Sequence, residues 1–386
     1  MAPQIAQRIN DIGGSVFSRL AGRIAGLRHP VAPLHVGDTY LRPPAGCALH
    51  ELDPEDGPPL NRYLAPQGAV ELRAALAARA GAPSLPPIDP DRVVVTPGAT
   101  GALSAIAAAT LEPGDEVIVL APYWPLIVGL IRAQGGRPVE VPVLGLEAAL
   151  VERVAAAVGP RTVAIYLNSP NNPSGAILSA ETLAGIAEVA RRHGLWIWAD
   201  EVYAELSYVG PPPRVAAAAP ELTISVGSFS KAYGMAGHRC GWAVLPEAPR
   251  LRDALWKTST HQSYGAPTAA QVAGLRALER GGAWLDAARS AYAEAGRAAA
   301  VRLGVPSPAA GTFLFLDVGE ALRPDLSEDD ALHDFLVRCL DAGLLLAPGR
   351  SCGADYGRYV RLCFTSAPPA VVAAAVDRLA GLMGRG

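Results

Sequence analysis

Lysine is nearly missing from this chain: of 33 basic residues only two are lysines, Lys231 and Lys257, and the rest are arginines. Arginine replaces lysine as surface charge but not as a reactive amine, because a guanidinium does not shed its proton at accessible pH. Cysteine is also scarce. Cys47, Cys240, Cys339, Cys352 and Cys363 are odd in number and form no C-x-x-C pair, which argues against a disulfide framework or a zinc site and for a reducing cytoplasm. The seven histidines form no H-x-x-x-H or His/Asp cluster of metal-ligand type. A net charge of −3 and scattered arginines leave no footprint for nucleic acid. The longest apolar run, Val117 to Ile131, contains Pro122 and Pro125 and is too short to span a membrane, and the first residues lack the apolar stretch of a signal peptide.

What is present is a long chain, 386 residues with 50% hydrophobic content, enough for a large core and two or three domains. Short β-branched runs at Val93 to Val95, Glu116 to Leu120, Val163 to Leu167, Leu195 to Ala199 and Thr223 to Val226 read as buried strands. Thr100 to Leu111, Ala148 to Val158 and Ser179 to His193 read as helices between them. This alternation predicts an α/β layer structure on a mostly parallel sheet, with its ligand at the carboxyl ends of the strands. Gly98, Asn168, Asp200 and Ser228 each follow such a strand, so their loops should converge. A helical pattern then runs from Pro267 towards Arg302, broken or bent at Gly281-Gly282. Beyond it, Thr312 to Val318, Glu328 to Ala342, Leu344 to Leu346, Tyr359 to Phe364 and Pro369 to Leu382 read strand, helix, strand, strand, helix, a smaller α+β unit. The division expected is an N-terminal segment (1–44) belonging to the small domain, a large domain (45–283) and a C-terminal small domain (284–386).

Lys231 sits in Ser228-Phe-Ser-Lys-Ala-Tyr-Gly-Met-Ala-Gly-His-Arg239. An amine that can form an imine, with hydroxyls before it and a guanidinium fork after it, suits an aldehyde cofactor bearing a phosphate, namely pyridoxal phosphate. Gly98-Ala99-Thr100 opens a helix after a strand, so its N–H groups can cap that phosphate, with Ser228 adding a hydroxyl. Asp200 ends the apolar run Leu-Trp-Ile-Trp-Ala, where a carboxylate needs a partner. A protonated pyridine nitrogen is a suitable one, and it keeps the ring an electron sink. Tyr203 and Asn172 could hydrogen-bond the ring's phenolic oxygen, and Trp124 offers a flat stacking face. Each residue alone has an ordinary use as cap, turn, core or surface ion pair; one ligand accounts for all of them together. Gly349-Arg-Ser-Cys-Gly353 fits the G-x-S-x-G hydrolase pattern, but no helix follows Ser351 and no histidine lies beyond it. Gly98-Ala-Thr-Gly101 lacks the third glycine of a dinucleotide fingerprint.

Seven segments in this order resemble the class I/II aminotransferase family of fold-type I pyridoxal-phosphate enzymes, over about Gly37 to Leu382. They are Tyr63 to Gly68 with Leu72-Arg73, Pro97 to Thr100, Pro122 to Trp124, Asn168 to Gly175, Ala199 to Tyr203, Ser228 to Arg239, and Tyr359 to Phe364. The resemblance implies a three-layer large domain with a smaller α+β domain. It makes Lys231 the Schiff-base lysine, Arg361 the grip on the substrate α-carboxylate, and Gly37 its neighbour on a mobile N-terminal segment. It also has Tyr63 reach the phosphate of a neighbouring subunit, which implies a homodimer with shared active sites. The implied activity is ping-pong transfer of an amino group from an α-amino acid to a 2-oxo acid. A lyase, aldolase or amino-acid cyclase of the same fold is the alternative, and a non-catalytic sensor a more distant one. No second cation is assignable to a side-chain carboxylate, which points to neutral or apolar donors, and the resemblance implies 2-oxoglutarate or pyruvate as acceptor. Ile127, Tyr40 and Ser259 to Tyr264 are expected to line the side-chain pocket, with His261 a candidate to read the substrate. The opening His35-Val-Gly-Asp-Thr-Tyr-Leu41 departs from the family's commoner Gly-Glu-Pro-Asp.

Overall fold

A computed structural model describes residues 3, 5–14, 18–53, 55, 57–81 and 87–385. Seven strands form the large sheet: β1 (Val93–Thr96), β2 (Glu116–Ala121), β3 (Arg137–Pro142), β4 (Thr162–Asn168), β5 (Trp196–Asp200), β6 (Thr223–Ser228) and β7 (Gly241–Val244). Their order is β1-β7-β6-β5-β4-β2-β3, with β7 alone antiparallel to its neighbours. Alternation along each strand splits the core into layers. Val117, Val119, Tyr166 and Trp198 pack on one face with the helices Gly98–Thr110 and Pro249–Ser263, whereas Ile118, Leu120, Ile165 and Ile197 pack on the other with Leu150–Ala156 and Ala180–His193. The result is a three-layer α/β structure.

Three further strands, β8 (Phe313–Asp317), β9 (Ala347–Pro348) and β10 (Tyr359–Cys363), make a small antiparallel sheet in the order β8-β10-β9. It shares a core with the helices Glu328–Asp341 and Pro369–Leu382, with the end of Gly282–Arg302, and with Leu20, Ala32 and Leu34 from the start of the chain.

All five large-sheet strands read from the sequence are present, as are the three helices between them, within two or three residues at each end. Ser179 caps its helix by accepting the Thr182 N–H at 3.1 Å. Two strands escaped the sequence, β3 and β7. The strand expected at 344–346 is displaced: Leu344 makes an isolated bridge to Ala32, and the paired strand is the following Ala347–Pro348. The apolar run there serves burial rather than pairing.

Candidate active site

Every central strand delivers one polar residue to the same end of the sheet. Asn168, Asp200 and Ser228 are the last residues of β4, β5 and β6, and Gly98 starts the helix two residues after β1. Together with β8, β10 and the N-terminal segment, they surround a cavity of about 230 Å³. Its lining includes Gly37, Ala99, Thr100, Trp124, Asn172, Asp200, Tyr203, Ser228, Lys231, Arg239 and Arg361. Eleven of the residues read from the sequence thus meet in one place.

Asp200 is 3% exposed. One carboxylate oxygen accepts the Tyr166 hydroxyl at 2.8 Å, and the other accepts the Val202 N–H at 3.4 Å. Burial nevertheless dominates and pushes its pKa up to about 6. Asn168 fixes the neighbouring chain: its amide donates to the Asp200 carbonyl at 2.8 Å and its oxygen accepts the Asn172 N–H at 2.6 Å. Opposite, the Lys231 amine donates to the Gly37 carbonyl, and its removal from water pushes its pKa down. An amine that burial makes easier to deprotonate and a buried carboxylate therefore face one cavity.

Arg239 holds a left-handed backbone (φ 56°), and its Nη1 donates to the Ala236 carbonyl at 2.9 Å. Its guanidinium lies directly over Gly98, which adjoins the cavity without lining it: a Cβ on Gly98 would stand 2.5 Å from Nη2. Gly98 itself has φ +73°, so both its conformation and its space exclude a side chain. Ser228 accepts the Ser230 N–H at 3.0 Å, starting the short turn that carries Lys231. This cradle of main-chain N–H groups, guanidinium and hydroxyl fits a phosphate dianion. Gly98→Ala is expected to weaken pyridoxal phosphate binding about tenfold or more, because the strain and the displaced guanidinium act together. Titration of the cofactor into refolded variant and parent measures it; equal affinities would remove Gly98 from the cradle.

Arg361 is 9% exposed and held from three directions. Nη1 donates to Asn172 Oδ1 at 3.0 Å, Nη2 donates to the His35 carbonyl at 2.9 Å, and the guanidinium carbon lies 4.4 Å from the Phe313 ring centre. Its Nε is buried without a hydrogen-bond partner among the described residues. Gly37 crosses the same ring so closely that a Cβ would stand 2.5 Å from Phe313 Cζ. Tyr203 lies edge-on to Phe313 at 6.1 Å, and burial raises its phenol pKa.

Tyr63 does not join the cavity: it is 85% exposed and rests against Tyr264 at 4.7 Å between ring centres. The expected side-chain pocket is also different. Ile127 is fully buried in the core, Tyr40 packs on Tyr292 at 5.8 Å, and none of residues 259–264, His261 included, lines the cavity. Val36, Leu103, Phe313 and Asn168 line it instead. Asn168 stood in a motif and was within reach of sequence reasoning; the three apolar residues carry no chemical signature.

A family model described as aminotransferase class I and II matches residues 31–379. The aspartate/prephenate aminotransferase of Thermus thermophilus is 34% identical over 334 residues, 84% of each chain. A probable aspartate/prephenate aminotransferase of Thermus aquaticus is 40% identical over 236 residues, 60% of this chain and 61% of that one. The solved structure of Thermus thermophilus aspartate aminotransferase with maleate superposes with a TM-score of 0.86 at 31% identity, covering 99% of this chain and 100% of that one.

Proposed function

We propose a role for each side chain of the cavity from one premise: this chain belongs to the aminotransferase class I and II family and is a pyridoxal-phosphate-dependent aminotransferase. When bound, the cofactor supplies a carbonyl that takes up the amino group and a ring that delocalises electrons left at the substrate Cα. Lys231 holds that carbonyl carbon covalently. Its nitrogen, once free, would accept the proton from the substrate Cα and carry it onward. Asp200 keeps a proton on the pyridine nitrogen, its own charge stabilised by that partner. Arg239, Ser228 and the N–H groups of Gly98, Ala99 and Thr100 grip the phosphate. Tyr203 and Asn172 would hydrogen-bond the phenolic oxygen, and Trp124 would offer a stacking surface. Arg361, steadied by Asn172 and backed by Gly37, pairs with the substrate α-carboxylate.

The observation that carries this reading is convergence of one amine, one buried carboxylate and one partly unsatisfied guanidinium on one cavity. Around it we place the chain as a homodimer in which Tyr63, exposed in the single chain, reaches the phosphate of the second subunit. Segments 1–44 and 284–386 are assigned to the small domain and 45–283 to the large one, with residues 8–11 reaching across to the helix Ile127–Ala133. Among the described residues no helix is long and apolar enough to cross a membrane, and all five cysteines are buried and unpaired, which supports a cytoplasmic location.

The donor class follows from charge. The cations lining the cavity are Lys231, Arg239 and Arg361, each already committed to amine chemistry, phosphate or α-carboxylate. Val36, Leu103, Val202 and Phe313 add apolar wall, and Asn168 and Ser230 add neutral polar groups. A second carboxylate would be desolvated without a partner. Neutral or apolar amino acids are therefore the donors, and the same reasoning favours pyruvate over 2-oxoglutarate as acceptor. Single amino acids added without acceptor should convert the cofactor stoichiometrically to its amine form, neutral donors exceeding aspartate in kcat/KM by about tenfold or more. Ammonia and oxo acid released without that conversion would indicate a lyase, and a bound cofactor inert to every donor would indicate a sensor. A preference for aspartate would overturn the donor class alone.

A further inference from the structure

A carboxylate outside the cavity ties two of its walls together. Glu140 lies on β3, half-buried, and its two oxygens receive donors from distant parts of the chain. Oε1 accepts the Tyr123 hydroxyl at 2.6 Å, and Oε2 accepts the Ala354 N–H at 2.9 Å. Both are charge-assisted bonds, and only a carboxylate offers an acceptor oxygen to each side; an amide of the same shape has one oxygen and would turn an NH₂ towards the other donor.

The two segments so joined carry different duties. Tyr123, itself 4% exposed, directly precedes Trp124. Its N–H donates to the Cys352 carbonyl at 2.9 Å, the Tyr356 hydroxyl donates to the Ala121 carbonyl at 2.7 Å, and the Asn171 amide donates to the Pro122 carbonyl at 3.0 Å. Residues 352–356 in turn lead into β10, where Arg361 sits. Tyr356 packs edge-on against Phe315 at 5.5 Å, and Phe315 is the cross-strand partner of Arg361. A continuous path of contacts thus runs from Trp124 to Arg361, and Glu140 is the charged group that clasps its two halves.

We propose that Glu140 is a positioning residue for transamination: acting through Tyr123 and Ala354, it keeps Trp124 on the cofactor ring and Arg361 at the substrate carboxylate in one fixed relation. This rests on the roles given above to Trp124 and Arg361. Glu140→Ala, Glu140→Gln and Tyr123→Phe, each loaded with pyridoxal phosphate, are compared by donor KM and by the visible circular dichroism of the bound cofactor, which reports the dissymmetry imposed on the ring. For Glu140→Ala, donor KM should rise roughly tenfold, the loss expected when a hydrogen bond to a charged group goes, and the dichroic band should shrink with it. Glu140→Gln should fall between it and the parent. Tyr123→Phe should shrink the band while moving KM less, because only the arm towards Trp124 is cut. A loaded Glu140→Ala with parental KM and parental dichroism overturns the proposal, even where its thermal midpoint drops. Should that variant not fold, an unaltered dichroic band in Tyr123→Phe overturns it. A parent protein that forms no lysine-bound chromophore refutes the functional reading itself, before any variant is compared.

Discussion

Asp200→Asn is expected to stabilise the cofactor-free protein and to disable the enzyme. Loss of turnover should reach about 10²–10⁴-fold, because a neutral amide cannot keep a proton on the pyridine nitrogen and the ring then accepts electrons poorly. The gain in stability follows from burial. The folded-state pKa of Asp200 is raised from 3.8 to about 6. Between those values the folded chain holds a proton that the unfolded chain has released, so stability falls as pH rises through this window. Above it the penalty is complete, about 3 kcal/mol for a shift of some two units. Asparagine carries no charge penalty and its side-chain oxygen still accepts the Tyr166 hydroxyl, at the loss of the longer 3.4 Å bond from the Val202 N–H. Urea unfolding of both apoproteins should therefore coincide near pH 4 and diverge by about 1–3 kcal/mol at pH 7, the variant being the more stable. Stability curves that stay parallel across this range would show that the carboxylate is not held at a cost. Restoring the cofactor should reverse the ranking, since only the parent gains a cation beside a buried anion.

Lys231→Ala should lower turnover by about four orders of magnitude or more, since it removes covalent capture and proton transfer at once. The cofactor should still bind, because Arg239, Gly98 and Asp200 remain, but without the chromophore of a lysine adduct. Lysine scarcity makes the assignment clean. Borohydride reduction of the loaded parent can mark only two lysine side chains, and Lys257 lies in the helix Pro249–Ser263, outside the cavity lining. Peptide mapping that found the label on Lys257, or on neither, would end the proposed mechanism. The depressed pKa of Lys231 also bears on rate: removal from water leaves more of the amine neutral near pH 7, as a proton acceptor requires.

How much of this was legible beforehand depended on whether a residue's work leaves a mark in its local sequence. Lys231, Asp200, Arg239, Arg361, Asn172 and Trp124 stand in short motifs whose polar groups are unusual for their apolar setting, and all six line the cavity. Phe313, Val36 and Leu103 do not differ from core residues until the chain is folded, so nothing flagged them. Ile127 was misplaced for a related reason: it begins the helix Ile127–Ala133 on the side facing the sheet, and helical phase cannot be fixed from so short a run. Among strands, β3 was obscured by Pro138 and Pro142, and β7 by the glycine at its start, both of which read locally as interruptions. Gly241 is required there because a Cβ would stand 2.5 Å from the Ala99 nitrogen.

The order of the large sheet leaves β1 and β3 outermost, and each offers few free donors to a further strand. On β3 the N–H groups of Arg137 and Val143 turn inward, to the carbonyls of Asp115 and Ala121, so alternation sends positions 138, 140 and 142 outward. Two of those three are prolines, which leaves Glu140 as the sole outward donor. On β1 the Val95 N–H is already spent on the Gln67 carbonyl. Neither margin of the large sheet therefore presents a full row of backbone donors, which disfavours its edge-to-edge pairing with a further strand.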